Sequence, residues 1–341
     1  MPTSSELSVL LVTILCCFGC GVSSESPLEI VGSSAGTALC LNGDGSHVAF
    51  AGRIGTNEGA SHQVSVIDTS TGKLSASADV VSYGIAWSES GRQLACIGPE
   101  GLTMANVWDR SVKSLDSAVA NGSYGIAMHA SGHVFVGRKL IAEWDGRTSC
   151  PQAYWFTSGV IRNRGSIPAC TDSRSAFHFA VAKRSSPIVI AVSFDEDESV
   201  EVWELSADGE SDFPLSPIAR LPCYGPCKLA LNAKGDRIAA LSGRGLGVYS
   251  IQGGKAVRFI HRADIAAQGT SASEPLAISD DGRVIVAATQ DNIYAIRNDT
   301  AWLTRRWPLT ARAISVDGAG KRMGAIHSQT GRLLLYDLTW E

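Results

Sequence analysis

The sequence predicts an all-β fold, a seven-bladed β-propeller of four-stranded antiparallel blades closed by an N-terminal strand that joins the last blade. Three observations lead there. A two-strand hairpin with glycine at its turn recurs along the chain. A bulky residue recurs behind each hairpin, about 45 residues apart on average. The chain also ends one strand short of a full unit and begins with a strand that lacks a neighbour.

The hairpins are ALCLNGDGSHVAFAG (38–52), GIAWSESGRQLACIG (84–98), GIAMHASGHVFVG (125–137), KLALNAKGDRIAALSG (228–243), PLAISDDGRVIVAAT (275–289) and RAISVDGAGKRMGAI (312–326). Their turn glycines are Gly45, Gly91, Gly132, Gly235, Gly282 and Gly320. A tight turn between two strands asks for positive φ, which glycine adopts without steric cost. FHFAVAKRSSPIVIAVS (177–193) has the same pattern with Ser185-Ser186 in place of the turn glycine, and VEVWEL (200–205) supplies its third strand. The third-strand markers are Ile67, Trp108, Trp144, Trp203, Tyr249, Tyr294 and Tyr336. Units of this size fit four-stranded blades, which run about 40–50 residues. Counts of six or eight stay open; an insertion at 146–176 accounts more simply for the long spacing there. PLEIVGS (27–33) can serve as the outer strand of the last blade, which ends in LLLYDLTWE, and so remove an open sheet edge.

Composition limits function. The chain has 341 residues, 45% of them hydrophobic, which is ample for one core over 27–341. Net charge is −4 with Lys and Arg scattered, so there is no basic stripe for nucleic acid. Leu7 to Val22 is free of charge and too short for a typical membrane span, and it reads as the apolar part of a leader over 1–22. Cys17-Phe18-Gly19-Cys20 loosely resembles a bacterial lipobox, with Cys20 the candidate for lipidation. The expectation is an exported protein, periplasmic, envelope-anchored or extracellular, touching membrane only through that anchor, and monomeric.

Trp108-Asp109 and Trp144-Asp145 match the ending of WD repeats, and Trp203-Glu204 and Tyr336-Asp337 are close variants. VSVIDTSTGKL (64–74) is similar to the YVTN surface-layer repeat, and SDDGR (279–283) to the turn common to both. The chain thus resembles the WD/YVTN-type propellers over nearly all of 27–341, without the Gly-His pair that opens each WD blade. The resemblance implies binding of a protein or peptide partner as the task.

In such a ring the loops into strand one and between strands two and three share one face, where propellers present binding residues. Tyr83 and Tyr124, in the repeated SYGIA, and Tyr224, Arg138, His178 and Arg244 are the candidate ligand or partner residues there. The opposite reading of the tyrosines is packing between blades. Cys223 and Cys227, separated by Tyr-Gly-Pro, form one candidate disulfide, and Cys150 with Cys170 a second, both suited to an oxidising compartment. Asp195 to Glu198 reads as a solvated loop rather than a calcium cage, and His129 and His133, flanking a turn, lack a third ligand. No catalytic motif is present, and no cofactor or metal is expected. The alternative is a propeller enzyme, a lactonase-like hydrolase or a redox-associated protein, with His178, Arg138 and Arg312 converging at the central channel.

Overall fold

The computed structural model describes residues 20–22, 26–30, 33–54, 63–116, 123–138, 152–157, 160–166, 176–194, 199–205, 217–223, 226–252, 255–266, 275–298 and 303–340. Their strands form radial sheets around a central axis. Four-stranded antiparallel sheets span 33–78, 84–116, 123–166, 176–222 and 228–262, each with its first strand innermost. A sixth, 311–337, takes Leu28–Glu29 as its outer strand: Leu28 pairs with Leu335 and Glu29 with Leu334. The remaining sheet, 276–307, has five strands, because Cys20–Val22 adds in parallel along Leu303–Trp307. The expectation of seven four-stranded antiparallel blades is therefore corrected. Six sheets meet that description, and the other is wider and mixed, because three residues assigned to the leader lie along its outer edge.

The innermost strands follow one another around the axis, and the last, Ala311–Val316, lies against the first, Ser33–Leu41. A buried cluster fills that seam, with Leu39, Leu41, Phe50 and Ile67 from the first sheet against Ile30, Ala313, Ile326 and Leu333 from the last. Apolar side chains on both faces of each sheet explain the near-continuous hydrophobic runs of the second strands, such as Ile188–Phe194, in which every residue is buried.

The hairpin turns carry the repeat most faithfully. All six turn glycines have φ between 63° and 87°. In each, the glycine N–H donates to the carbonyl of the residue three before it: Asn42, Ser88, His129, Asn232, Ser279 and Asp317. The side chains of Asn42, Ser88, Asn232, Ser279 and Asp317 then accept from the first amide of the next strand, that of His47, Gln93, Arg237, Val284 and Arg322. A short polar side chain that bonds nearby backbone is what makes such a turn specific. In the 176–222 sheet Ser185 does this work, its hydroxyl accepting from Val189 N–H ahead of the cis Ser186-Pro187 bond.

The bulky third-strand residues are less regular than expected. Ile67, Tyr249 and Tyr336 occupy one register, opposite Val48, Ile238 and Met323. In the 84–116 sheet that place belongs to Ala105, opposite Leu94. Trp108 follows the strand in a turn, 47% exposed, against 1% for Trp203. Tyr294 faces Ala287 and lies two residues before its counterpart Ile296. The third strand of the 123–166 sheet is Gln152–Thr157, inside the segment read as an insertion, and Trp144 lies outside the described residues.

Asp317 offers a test of the turn motif. It is buried, and desolvation pushes its carboxyl above the usual range despite the amides of Lys321 and Arg322 that point at it. A raised folded pKa means the protonated form is favoured, so this contribution to stability is present in acid and lost as pH rises. Asp317→Asn keeps an Oδ1 acceptor, as Asn42 and Asn232 do in the same turn. The variant should melt above the parent at pH 8, with the gap closing toward pH 4, in paired thermal unfolding curves.

Candidate functional site

The innermost strands run from one face of the ring, bearing the loops into them, to the other, bearing the hairpin turns. Counting back from each turn, the second residue before it is Cys40, Ala86, Ala127, Ala180, Ala230, Ala277 or Ser315. All of them line a central cavity of about 230 Å³. This collar of small side chains keeps the channel open along the axis. Cys40 both lines the channel and packs against a buried cluster, whereas Cys96 is fully buried, its thiol pushed up to about 12 by desolvation. The equivalent of Cys40 in the last sheet is Ser315, one turn of alternation beyond the Ala313 that matches Ala38.

Two rows nearer the loop face the matching positions are Ala38, Gly84, Gly125, His178, Lys228, Pro275 and Ala313. His178 and Lys228 are the polar pair in this row, and both line the cavity. The Leu229 N–H donates to His178 Nδ1 at 3.1 Å, which lays the ring against the strand that carries Lys228. It also places the imidazole proton on Nε2. Lys228 is 7% exposed.

The turn-face mouth is bridged by charge. Arg184 Nε lies 2.9 Å from Glu89 Oε1, and its Nη1 lies 3.7 Å from Asp280 Oδ2, where Lys183 Nζ also approaches Asp280 Oδ1 at 3.7 Å. These side chains come from three different sheets. Backbone bonds link the same turns into a belt: Ala130 to Lys183, Arg184 to Ala233, Ala233 to Asp280, Asp280 to Gly318, and Gly318 to Gly43. Arg184 and Glu89 are each about half exposed, so their pairing is worth at most about 1 kcal/mol and closes the mouth lightly.

The loop face holds the residues singled out from sequence. Tyr83 is 45% exposed while its N–H is fixed to Ile97 O at 2.7 Å, so it projects from a held backbone. Arg244 is exposed in the turn before Gly245–Gln252. Of Tyr124, Arg138 and Cys20 the strand positions alone are described; Tyr224, Cys150 and Cys170 lie outside the described residues. Cys223 and Cys227 are joined as a disulfide beneath this face, packed in the buried cluster between the 176–222 and 228–262 sheets. Arg312 bonds Gly36 O and Ser328 O at the ring seam, away from the adjacent His178 and Lys228.

His129 and His133 meet through one hydroxyl: Ser131 Oγ lies 2.7 Å from His129 Nδ1 and 2.8 Å from His133 Nδ1, and His129 Nε2 reaches Ser185 O at 2.8 Å. Both are buried, and desolvation lowers the pKa of His129, so the pair fastens a turn to its neighbour. Sequence reading missed Lys228 and the Arg184 bridge. Lys228 begins a hairpin pattern and looks like a flanking charge until the alanine row is aligned.

No protein-family model matches the chain, and no curated protein matches it by sequence. Solved structures do match. The β-propeller domain of Cps50 (Swd1) from Myceliophteria thermophila is 12% identical at a TM-score of 0.67, covering 92% of this chain and 100% of that one. Hydrazine synthase from Kuenenia stuttgartiensis is 11% identical at 0.66, covering 94% and 100%. The WD40 repeats of RRP9 are 10% identical at 0.63, covering 93% and 99%. At such identities the likeness speaks to fold alone: the chain is a β-propeller.

Proposed function

We propose that this chain is a non-catalytic binding module that holds a protein or peptide partner on its loop face. The observation that carries the reading is Tyr83, a half-exposed aromatic on a hydrogen-bonded backbone just before the inner strand Gly84–Trp87. Interface anchors are aromatic side chains whose ordering has been met in advance, because binding then freezes little further motion. Arg244 lies on the same face and supplies a second residue type enriched at interfaces. The apolar leader and Cys20 support export and an envelope anchor as part of the same proposal, with the module acting as a monomer.

Hydroxyl-radical footprinting of the purified full chain, alone and with cell-envelope extract, tests this. Protection is expected at Tyr83 and around Arg244, with both protections lost in Tyr83→Ala. Uniform labelling with and without extract contradicts the reading. Metabolic labelling with palmitate, lost in Cys20→Ser, checks the anchor.

A further inference from the structure

We propose that Trp108, exposed on the hairpin-turn face, is a platform for a neutral sugar ring, a pyranose with equatorial hydroxyls. The site is separate from the channel and from the partner surface on the loop face. The flat C–H face of the sugar would lie on the indole, and two vicinal hydroxyls would bond Asp109 and Arg92.

Three features lead to this. First, the indole is open yet already placed. Trp108 is 47% exposed, its Nε1–H donates to Gly91 O at 3.2 Å, and the His47 ring stands across it at 5.3 Å with the planes 84° apart. A ring held before the ligand arrives costs little to order on binding. A tryptophan that only filled space would be buried between sheets, as Trp203 is at 1%. Second, the open dish at this ring is lined by Arg92, Asn106, Trp108 and Asp109, one aromatic surface and three hydrogen-bonding side chains. Asn106 Nδ2 donates to Asp109 Oδ2 at 2.6 Å, and Ser111 N–H donates to Asp109 Oδ1 at 2.8 Å. The bonds from Ser111 hold the Asp109 carboxyl below the usual range, so it is an ionised acceptor. A carboxylate oxygen accepts more than one donor, so these bonds aim Asp109 without closing it. Arg92 is exposed and brings a fork of N–H donors. Third, the charges of Asp109 and Arg92 cancel, so the dish favours neither an anion nor a cation. A vicinal diol is a neutral group that gives O–H to a carboxylate and lone pairs to a guanidinium at once. A protein anchor asks for an apolar pocket around it, and the lining here has no apolar surface beyond the indole. Behind the dish the chain turns sharply at Arg110, whose φ is 58°, a conformation that non-glycine residues adopt most often at ligand sites and switches.

Isothermal titration of the full chain with cellotetraose is the test, with sorbitol, inorganic phosphate and an oligoproline peptide as comparison ligands. Cellotetraose should saturate at one per chain. Trp108→Ala should weaken it at least about tenfold, Trp108→Phe should keep most of the affinity, and Asp109→Asn and Arg92→Met should each weaken it about fivefold. Thermal unfolding of each variant shows that it is folded. Absence of saturable cellotetraose binding, equal binding by Trp108→Ala, or tighter binding of sorbitol, phosphate or oligoproline overturns the proposal. None of these outcomes depends on whether Tyr83 holds a partner.

Discussion

Trp203→Ala should cost about 3–5 kcal/mol in urea unfolding, whereas Trp108→Ala should cost about 1 kcal/mol or less. The two residues look alike in sequence, each a tryptophan before an acidic residue at the end of a third strand. Trp203 sits within its strand, opposite Ile190, and packs with Phe135, Ile188, Val192 and Phe194 between two sheets. Its truncation leaves a cavity that close-packed neighbours cannot collapse into. Its indole N–H has no hydrogen-bond partner among the described residues, so the loss is one of volume. Trp108 instead rests on the outside of a turn, its N–H 3.2 Å from Gly91 O and its ring edge-on to His47 at 5.3 Å. Equal losses for the two variants would mean that the register drawn for the 84–116 sheet is wrong.

The second large effect is expected at the ring seam. Gly331→Ala should lose about 3 kcal/mol, and Gly243→Ala should be neutral or gain up to about 1 kcal/mol. Gly331 has φ 66°, and a Cβ there would stand 2.5 Å from Ala35 N and 2.8 Å from Gly36 N. Both contacts are backbone of the first sheet, which cannot turn aside, and Gly36 N–H already donates to Gly331 O at 3.1 Å. Ala35 itself holds a φ of 50°, so the chain is bent on both sides of this contact. A Cβ at Gly243 meets nothing within 4 Å. Paired chemical unfolding curves with equal m-values would measure the difference, and equal stability of the two variants would contradict the seam.

The contrast between tryptophans shows what sequence could and could not reveal. Turn glycines and the polar residue three before them are local devices: positive φ and a side-chain acceptor are needed wherever the hairpin forms. They therefore read out at Gly45, Gly91, Gly132, Gly235, Gly282 and Gly320 without error. The third-strand marker is not local. A large residue there fills whatever gap two sheets leave, so Ala105 can stand in one sheet where Tyr249 stands in another. That freedom placed Trp144 in a strand that runs instead through Gln152–Thr157. The three-residue pairing of Cys20–Val22 with Leu303–Trp307 carries no side-chain signature either, because a parallel edge strand is held by backbone. The channel site was half legible. His178 stood out as a lone histidine in an inner strand, but its neighbour Lys228 required knowing which strands adjoin.

Closure of the ring by the N-terminal strand underlies the seam, the channel and the two faces. Ile30 N–H donates to Leu333 O, which makes Glu29 and Leu334 the non-hydrogen-bonded pair between two bonded ones, at the close Cα spacing a disulfide needs. Glu29→Cys with Leu334→Cys, purified under mild oxidation and mapped by non-reducing peptide mass spectrometry, is the most direct test. The account predicts a near-quantitative 29–334 bridge and a higher melting temperature than the reduced form. A folded protein in which the two cysteines stay unbridged would contradict it.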